Sequence, residues 1–401
     1  MRNRRNYYLL LVISFLQGAV FYAPVATIYR LEYGLLLSDL FLIESVSWGV
    51  TLALEVPFGR FADRYGCRRT VLFGCGVFFV SKIVFAVAYG FSLFLAERVL
   101  LSISLAALSG AVESLLYASV KEEKMEKGFG LWNAAATAGL LTAALTAPLL
   151  YMVSLRRPAW ATAVAYGVAA GLCFFLEEPD SGPGTRTDGG RSWTSLKAAS
   201  LALFSDRPLV RFLVAVSLSN ECVQAATVFL SQPQYERSGI NPKTFGVLYA
   251  LLQCSALIGS VLVGVFGRWG RKRAITGMVG IECAGAVALT FSSSKVMTIA
   301  ALSAMSAAAA VIRPVFMAVQ IRRIRHSDRA TALSLNAMIG EFTAAAYNIV
   351  QTKIAERSLV AVFGASAVLL GSLAALSRYL FVAAEETKDP IERVAGKGET
   401  Q

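Results

Sequence analysis

Long apolar runs constrain the fold of this chain more than any other feature of its sequence. Twelve runs of about 20 residues recur along 401 residues, and a helix of that length crosses the roughly 30 Å hydrocarbon core of a bilayer. We number them as predicted spans 1 to 12. They cover residues 7–29, 36–58, 70–91, 93–118, 129–152, 159–177, 210–232, 243–266, 274–292, 296–320, 330–351 and 359–382.

The composition excludes a set of soluble domains. Apolar residue types make up 56% of the chain and charged types 16%, with a mean hydropathy of +0.58, whereas soluble domains carry about 25% charged residues. A soluble chain of this composition could not cover its surface with polar groups. The run from Tyr7 is too long for a signal peptide and predicts a retained helix. We therefore predict an all-α polytopic membrane protein.

The basic residues are distributed unevenly between the loops. Of the 38 Lys and Arg residues, 25 lie in the terminal segments and in loops after even-numbered spans, against 8 in loops after odd-numbered spans. Because basic loops are retained on the cytoplasmic side, both termini are predicted to be cytoplasmic, in a bacterial inner membrane. This topology requires an even number of spans, which twelve satisfies. It also accounts for the net charge of +12 without a nucleic-acid partner.

The chain is predicted to consist of two similar halves. Residues 181–193 are rich in Gly, Pro and polar types, as linkers are, and residues 195–211 are amphipathic enough to lie on the membrane surface. Two pairs of turns, at Gly34 and Gly239 and at Gly66 and Gly270, repeat at intervals of 205 and 204 residues, which favours pseudo-symmetric bundles. The predicted parts are a six-helix bundle at 1–178, a cytoplasmic linker at 179–209, a second six-helix bundle at 210–384 and a disordered tail at 385–401.

The loop between predicted spans 2 and 3 carries the most specific motif. Residues 55–69 read EVPFGRFADRYGCRR, in which Pro57 is expected to end span 2 because proline removes a backbone donor. The loop resembles the major facilitator superfamily signature G-x-x-x-D-[RK]-x-G-x-[RK]-[RK]. The matching residues are Gly59, Asp63, Arg64, Gly66, Arg68 and Arg69. Residues 266–273 resemble a degraded second copy, and residues 96–117 resemble span 4 of a bacterial branch of undefined substrate.

This resemblance implies that the loop is a conformational latch. Asp63 would lie against the start of span 11, where Ser327 or Asp328 would cap the helix. A carboxylate at a helix amino terminus is stabilised by about 0.3–1 kcal/mol, and by up to about 2 kcal/mol when partly buried. The glycines permit a tight turn and close helix approach. The alternative is a basic anchor that serves topology alone.

Ionisable side chains within the spans mark the candidate site, because each costs roughly 2.5–3.5 kcal/mol at the bilayer centre. Glu221, near the middle of span 7, shares a helical face with Ser217 and Gln224. The resemblance implies that spans 1, 4, 7 and 10 line a central cavity, and most of the polar faces belong to these spans. The predicted substrate or proton site comprises Glu221, Gln224, Asn220, Glu113, Arg313, Gln17 and Glu341.

Two readings of these charges stay open at this point. A glutamate in a low-dielectric cavity favours its protonated form, which suits proton coupling through Glu221. Alternatively, Glu221 and Glu113 pair with Arg313 or with hydroxyls and hold helices together.

Other charged residues are expected to have lesser roles. Lys82 and Glu282, in peripheral spans 3 and 9, are expected to be structural. Glu97 and Arg98 are predicted to be a local pair or a gate.

Motifs for other activities are missing from the sequence. It contains no G-x-x-x-x-G-K-[ST] phosphate loop, no G-x-S-x-G or H-E-x-x-H motif, and a single histidine, His326. An enzyme, a cofactor and a metal site are therefore not expected. We predict a monomeric secondary transporter that moves a small amphipathic molecule by alternating access, with protons as a candidate coupling ion. A receptor or sensor on the same scaffold and a membrane-embedded enzyme are the alternatives.

Overall fold

The computed structural model describes residues 4–120, 125–178, 206–267, 271–323 and 329–386. Within these ranges the chain forms helices joined by short turns, and no strand occurs. The α-helices are α1 Arg4–Gly18, α2 Ala26–Glu32, α3 Leu37–Tyr65, α4 Cys67–Val87, α5 Gly90–Leu108, α6 Ala111–Ser119, α7 Met125–Tyr151, α8 Arg156–Cys173, α9 Arg207–Gln224, α10 Ser231–Arg237, α11 Phe245–Gly267, α12 Arg271–Phe291, α13 Lys295–Arg323, α14 Arg329–Ala355 and α15 Leu359–Glu386.

The helices confirm an integral membrane protein. Ten helical segments in the described ranges are long and apolar enough to cross a bilayer. Predicted spans 6 and 11 correspond to α8 and α14, which are not among the ten segments that are long and apolar enough. Helix α8 has 18 residues and begins with Arg156 and Arg157, whereas α14 carries polar residues such as Glu341 and Asn348 along its length. A total of twelve spans stays a prediction.

Three spans that were predicted to be continuous are interrupted. In span 1, a 3-10 turn at Ala23–Val25 separates α1 from α2, and Pro24 removes a backbone donor there. In span 4, Gly110 has a φ of +74° between α5 and α6, a conformation that glycine adopts without steric cost. In span 7, a π-helical turn at Ala225–Phe229 follows α9. Apolar character alone does not reveal these breaks.

The prediction for the end of span 2 is also wrong, because this helix is longer than predicted. Helix α3 continues through Pro57 to Tyr65 and ends at Gly66, whose φ is +92°. Gly59 therefore lies inside a helix, where a Cβ would meet no atom within 4 Å, and does not form the predicted turn. Helix α9 begins at Arg207, within the predicted linker, and Asp206 caps it by accepting from the Leu209 N–H at 3.2 Å.

Residues 179–205 of the predicted linker and residues 387–401 of the predicted tail lie outside the described residues. Residues 4–178 are called the amino half and residues 206–386 the carboxy half. Most helix contacts stay within a half, as between α1 and α7, α4 and α8, and α12 and α15. The most extensive contacts between halves join α3 to α14 and α7 to α11. Span 2 thus contacts span 11, and span 5 contacts span 8. The two contacts are equivalent, because replacing each span by the one six positions away in the other half turns the first pair into the second.

The two ends of the helical array are named by their turns. The distal end carries the turns at residues 33–36, 152–155 and 238–241, and the proximal end is the one near residue 4. Two of the distal turns contain the glycines of the sequence repeat. Gly34 has a φ of +96° and Gly239 a φ of +68°, so both turns contain a glycine in the left-handed conformation.

Helices α1 and α7 approach each other closely because glycines lie at the contact. A Cβ built on Gly18 would lie 2.0 Å from the Ala136 carbonyl oxygen, and one on Gly139 would lie 2.0 Å from that of Phe15. No side chain fits between backbones at this distance, so both positions require glycine.

We expect Gly139→Ala to lower the free energy of unfolding by about 1–3 kcal/mol, the usual cost of overpacking. Gly171→Ala is the matched control, because a Cβ on Gly171 meets nothing within 4 Å. The measurement is thermal unfolding of the two variants in detergent. Equal melting temperatures would contradict the contact.

Candidate functional site

The turn between α3 and α4 is held by a carboxylate from elsewhere in the amino half. The Glu178 carboxylate accepts from the backbone N–H of Cys67 at 2.8 Å and from that of Arg68 at 2.9 Å. The same oxygens would lie 2.8 Å from a Cβ on Gly66. Glu178 therefore stabilises the amino terminus of α4, and Gly66 is needed both for its φ and for this approach.

The remaining residues of the loop motif have separate surroundings. The Arg68 guanidinium donates to the Phe174 carbonyl at 3.0 Å, which ties α4 to the end of α8. Arg64 lies over the Tyr65 ring at 5.4 Å, and Arg69 is exposed. The Asp63 side chain and residues 327–328 lie outside the described part of the structure, so the predicted latch contact stays a prediction.

A buried ion pair lies between α3 and α5. The Arg98 guanidinium donates to the Glu44 carboxylate, and on the next turns Ser47 and Ser102 share a hydrogen bond of 2.7 Å. Arg98 thus does not pair with its neighbour Glu97, as the local-pair hypothesis held. Opposite charges in two spans were the available signal, because intramembrane ionisable residues usually pair.

Glu97 belongs to a second buried charge cluster in the amino half. Its carboxylate lies 3.4 Å from Lys82 Nζ and 3.9 Å from the Arg30 guanidinium. Lys82 also donates to the Tyr22 hydroxyl at 2.9 Å and lies over the Phe78 ring at 5.1 Å. The side chains of Lys82 and Glu97 are 3% and 1% exposed, which agrees with the structural role expected for Lys82.

In the carboxy half, Glu221 is buried on α9 and accepts from the Asn348 amide of α14 at 3.3 Å. The Glu44 carboxylate of the amino half lies within electrostatic range of Glu221. An ion pair of one half and a carboxylate of the other therefore interact electrostatically inside the membrane-spanning part of the chain. Sequence reasoning missed Asn348, although it lies seven residues after Glu341 and so on the same helical face.

The other predicted site residues on α9, α13 and α14 are close to this carboxylate in sequence or across the helix contact. Arg313 is exposed and donates to the Asn220 amide oxygen at 3.2 Å, so its recorded partner is not Glu221. Gln224 and Glu341 are half-buried, and Glu341 lies within electrostatic range of Glu55. Glu55 of the amino half and Glu341 of the carboxy half are thus a second pair of carboxylates that interact electrostatically between the halves.

Two site residues of the amino half are arranged differently from the prediction. Glu113 is exposed in the first turn of α6, and the break at Gly110 separates it from the face that carries Ser102. The Gln17 amide donates to Cys75 Sγ at 3.2 Å, so it points into its own half. The break at Gly110 thus divides the side chains of predicted span 4 between two helices.

Glu282 is also buried, at 1% exposure, and accepts from the Ser219 hydroxyl. Ser219 is two residues before Glu221 on α9, so the two carboxylates are held by neighbouring parts of one helix.

In the described residues no three His, Cys, Asp or Glu side chains form a group that could hold a metal ion. The arrangement can bind and release protons and can hold a polar ligand group.

Sequence comparison identifies the family of this chain. The model of the Major Facilitator Superfamily matches residues 7–267 and 225–399, which together span nearly all of the described helices. The chain belongs to the major facilitator superfamily. Its helices and its membership are those of a family of membrane transporters.

The relatives of this superfamily member include resistance proteins. It is 28% identical over 136 residues to the quinolone resistance protein NorA of Staphylococcus aureus, a match that covers 34% of this chain and 35% of NorA. It is 23% identical over 238 residues to multidrug resistance protein 2 of Bacillus subtilis, covering 57% and 58% of the two chains. The chain thus matches about a third to three-fifths of the length of these relatives.

Solved structures show the same fold. The nucleoside transporter NupG has a TM-score of 0.77 at 15% identity, covering 94% of this chain and 99% of NupG. A bacterial homologue of the lysosomal transporter Spinster, in an inward-facing and unoccupied conformation, has a TM-score of 0.67 at 13% identity, covering 95% and 96%.

We expect Glu97→Gln to destabilise the amino half, because Lys82 would keep its charge in a buried place without a counter-charge. Removal of one partner of a buried ion pair costs about 3–5 kcal/mol. The measurement is the melting temperature in detergent. The double variant Glu97→Leu with Lys82→Met should recover most of the loss, and a single variant as stable as the parent would show that the pair is not needed.

Proposed function

We propose that this chain is an alternating-access transporter that exports or imports a small amphipathic molecule in exchange with, or together with, protons. The observation that carries the proposal is that Glu44, which is paired with Arg98 in the amino half, interacts electrostatically with the buried Glu221 of the carboxy half. A charge in the membrane interior is costly and marks ion or substrate pathways. These three groups can exchange charge partners when the halves move.

Two pseudo-symmetric six-helix bundles, at 1–178 and 210–384, would supply the motion. The equivalence of the contact between spans 2 and 11 to that between spans 5 and 8 supports this division. The shared conformation of Gly34 and Gly239 supports it as well. Parallel repeats of this kind move as rigid bodies about a site between them. The protein would function as a monomer.

The bias of basic residues towards the proximal end supports an orientation in which that end, with both termini, lies in the cytoplasm of a bacterial cell and the helices cross its inner membrane. In the described residues, most hydrogen bonds between the halves lie at the distal end, as between the Tyr151 hydroxyl and the Pro242 carbonyl at 2.8 Å. The Ser45 hydroxyl donates to the Ala345 carbonyl at 2.8 Å further into the membrane-spanning part. We therefore take the structure to be closed towards the outside. The inward-facing Spinster homologue supports this assignment.

The substrate class follows from the charges and the relatives together. Glu221, Arg313 and Asn220 offer both signs of charge and an amide, and such a set suits an amphipathic molecule with one polar group. A quinolone and a nucleoside are the probes that the names of the relatives suggest. Flux of either probe into proteoliposomes, with and without a pH gradient, tests transport. Binding without flux would favour the receptor alternative.

We expect Glu221→Gln to abolish accumulation of the transported probe against a gradient and to leave counterflow exchange partly intact. An amide can no longer bind and release a proton, whereas the hydrogen bond with Asn348 can be retained. Glu356→Gln is the control, because Glu356 forms an exposed pair with Lys353 at 3.1 Å. Accumulation by the Glu221 variant at the wild-type level would remove proton coupling from this residue.

For the latch loop we expect Asp63→Asn to reduce transport by about three- to tenfold without loss of expression, in line with the energy of a carboxylate at a helix terminus. Asp39→Asn makes the same chemical change at the distal start of the same helix, where Asp39 accepts from the Leu36 N–H at 2.8 Å. Initial rates in proteoliposomes measure both variants. A rate unchanged by Asp63→Asn would favour the basic-anchor alternative.

A further inference from the structure

Spans 1 and 7 are both broken near the distal end, and the two breaks lie against each other. The break in span 1 precedes α2, whose N-cap residue Val25 makes no side-chain capping bond. Helix α2 therefore begins with backbone N–H groups that have no partner within the helix. The break in span 7 contains the π-helical turn at Ala225–Phe229, directly before α10.

One side chain of α10 satisfies the backbone at the break in span 1. Gln232 Oε1 accepts from the Thr27 N–H at 2.8 Å and from the Ile28 N–H at 3.1 Å. Gln232 Nε2 donates to the Ala23 carbonyl at 3.1 Å. Gln232 is 3% exposed and Thr27 is fully buried. A residue of the carboxy half thus caps a helix of the amino half, 205 residues earlier in the chain.

We propose that Gln232 is a positioning residue that holds the distal end of the transporter closed. Its three hydrogen bonds join backbone of one half to a side chain of the other, so they cannot persist when the halves separate at this end. In an open state, water would hydrogen-bond instead to the N–H groups of Thr27 and Ile28. It would likewise hydrogen-bond to the Ala23 carbonyl and to the Gln232 amide. The bonds therefore stabilise the closed state relative to the open one. This inference rests on the alternating-access mechanism proposed above.

Two carboxylates at the distal surface, Glu32 and Glu236, repel each other and oppose closure. Burial, followed by the charge of Glu32, raises the pKa of Glu236, so carboxylates from the two halves approach each other there. Ring contact between Phe41 and Phe229, at 5.9 Å, also joins the halves near this point. Gln232 therefore shares the closure with apolar contacts, and its loss should shift the equilibrium without preventing folding.

Gln234 provides a matched control two residues along α10. It is also fully buried, but its amide donates to the Ser292 carbonyl and the Thr298 hydroxyl, both at 3.2 Å and both within the carboxy half. Replacement of either glutamine by leucine removes a buried amide of the same size. Only the change at position 232 removes bonds between the halves.

The test measures how often the distal end opens, without a substrate. Val25 is 1% exposed and packs among carboxy-half residues such as Phe229 and Phe245, so Val25→Cys reports the separation of the halves. Intact cells would be treated with a membrane-impermeant maleimide, and modification at position 25 would be read by mass spectrometry. The parent carries Val25→Cys alone, and melting temperatures in detergent would verify that each variant is folded.

We expect Gln232→Leu to raise the labelling rate by about tenfold, since several hydrogen bonds of modest net worth are lost together, and Gln234→Leu to leave it near the parent rate. Gln232→Glu keeps the acceptor oxygen but not the donor, so its labelling rate should lie between those of the parent and of Gln232→Leu. This variant also tests the inference if the leucine variant does not fold. Labelling of the Gln232 variants at the parent rate, or an equal rise with Gln234→Leu, would overturn the inference. Absence of probe flux in the wild type would instead overturn transport and leave the labelling result standing.

Discussion

The structure depends on one constraint, that the hydrocarbon core of a bilayer offers no hydrogen-bond partners and does not solvate charge. Every backbone group in a span must be paired within the protein, which makes the chain helical. Each ionisable side chain must likewise have a partner, and Lys82 with Glu97 and Arg98 with Glu44 show how the amino half meets that demand. Where a helix is broken, the same demand requires a partner from outside the helix.

The breaks in spans 1 and 7 lie where the halves meet, and the contact between halves is polar as well as apolar. Gln232 pairs the backbone at the break in span 1, and the Tyr151 hydroxyl of the amino half donates to the Pro242 carbonyl of the carboxy half. Polar groups at a movable contact differ from those in a rigid core, because they must exchange protein partners for water or for a ligand. Such exchange is what a carrier needs at its site and at its gate.

Sequence reasoning predicted the membrane class, the family and most helix positions, because apolar length and the loop motif are local signals. It placed the loop turn at Gly66 correctly and wrongly ended span 2 at Pro57, since a proline inside a long packed helix costs less than the loss of the packing around it. It named Glu221 but not its partner Asn348. A pairing between residues 127 positions apart leaves no mark in local composition.

The sequence by itself determined that the chain lies in a membrane as helices, since hydrophobic length and basic-loop bias act residue by residue. Tertiary structure alone decided which charges are neighbours, as when Arg98 pairs with Glu44 and not with the adjacent Glu97. It also decided that α2 is capped by Gln232 of the opposite half. The reason is geometric: a partner is chosen by where packed helices bring side chains in space, and helix packing joins segments far apart along the chain.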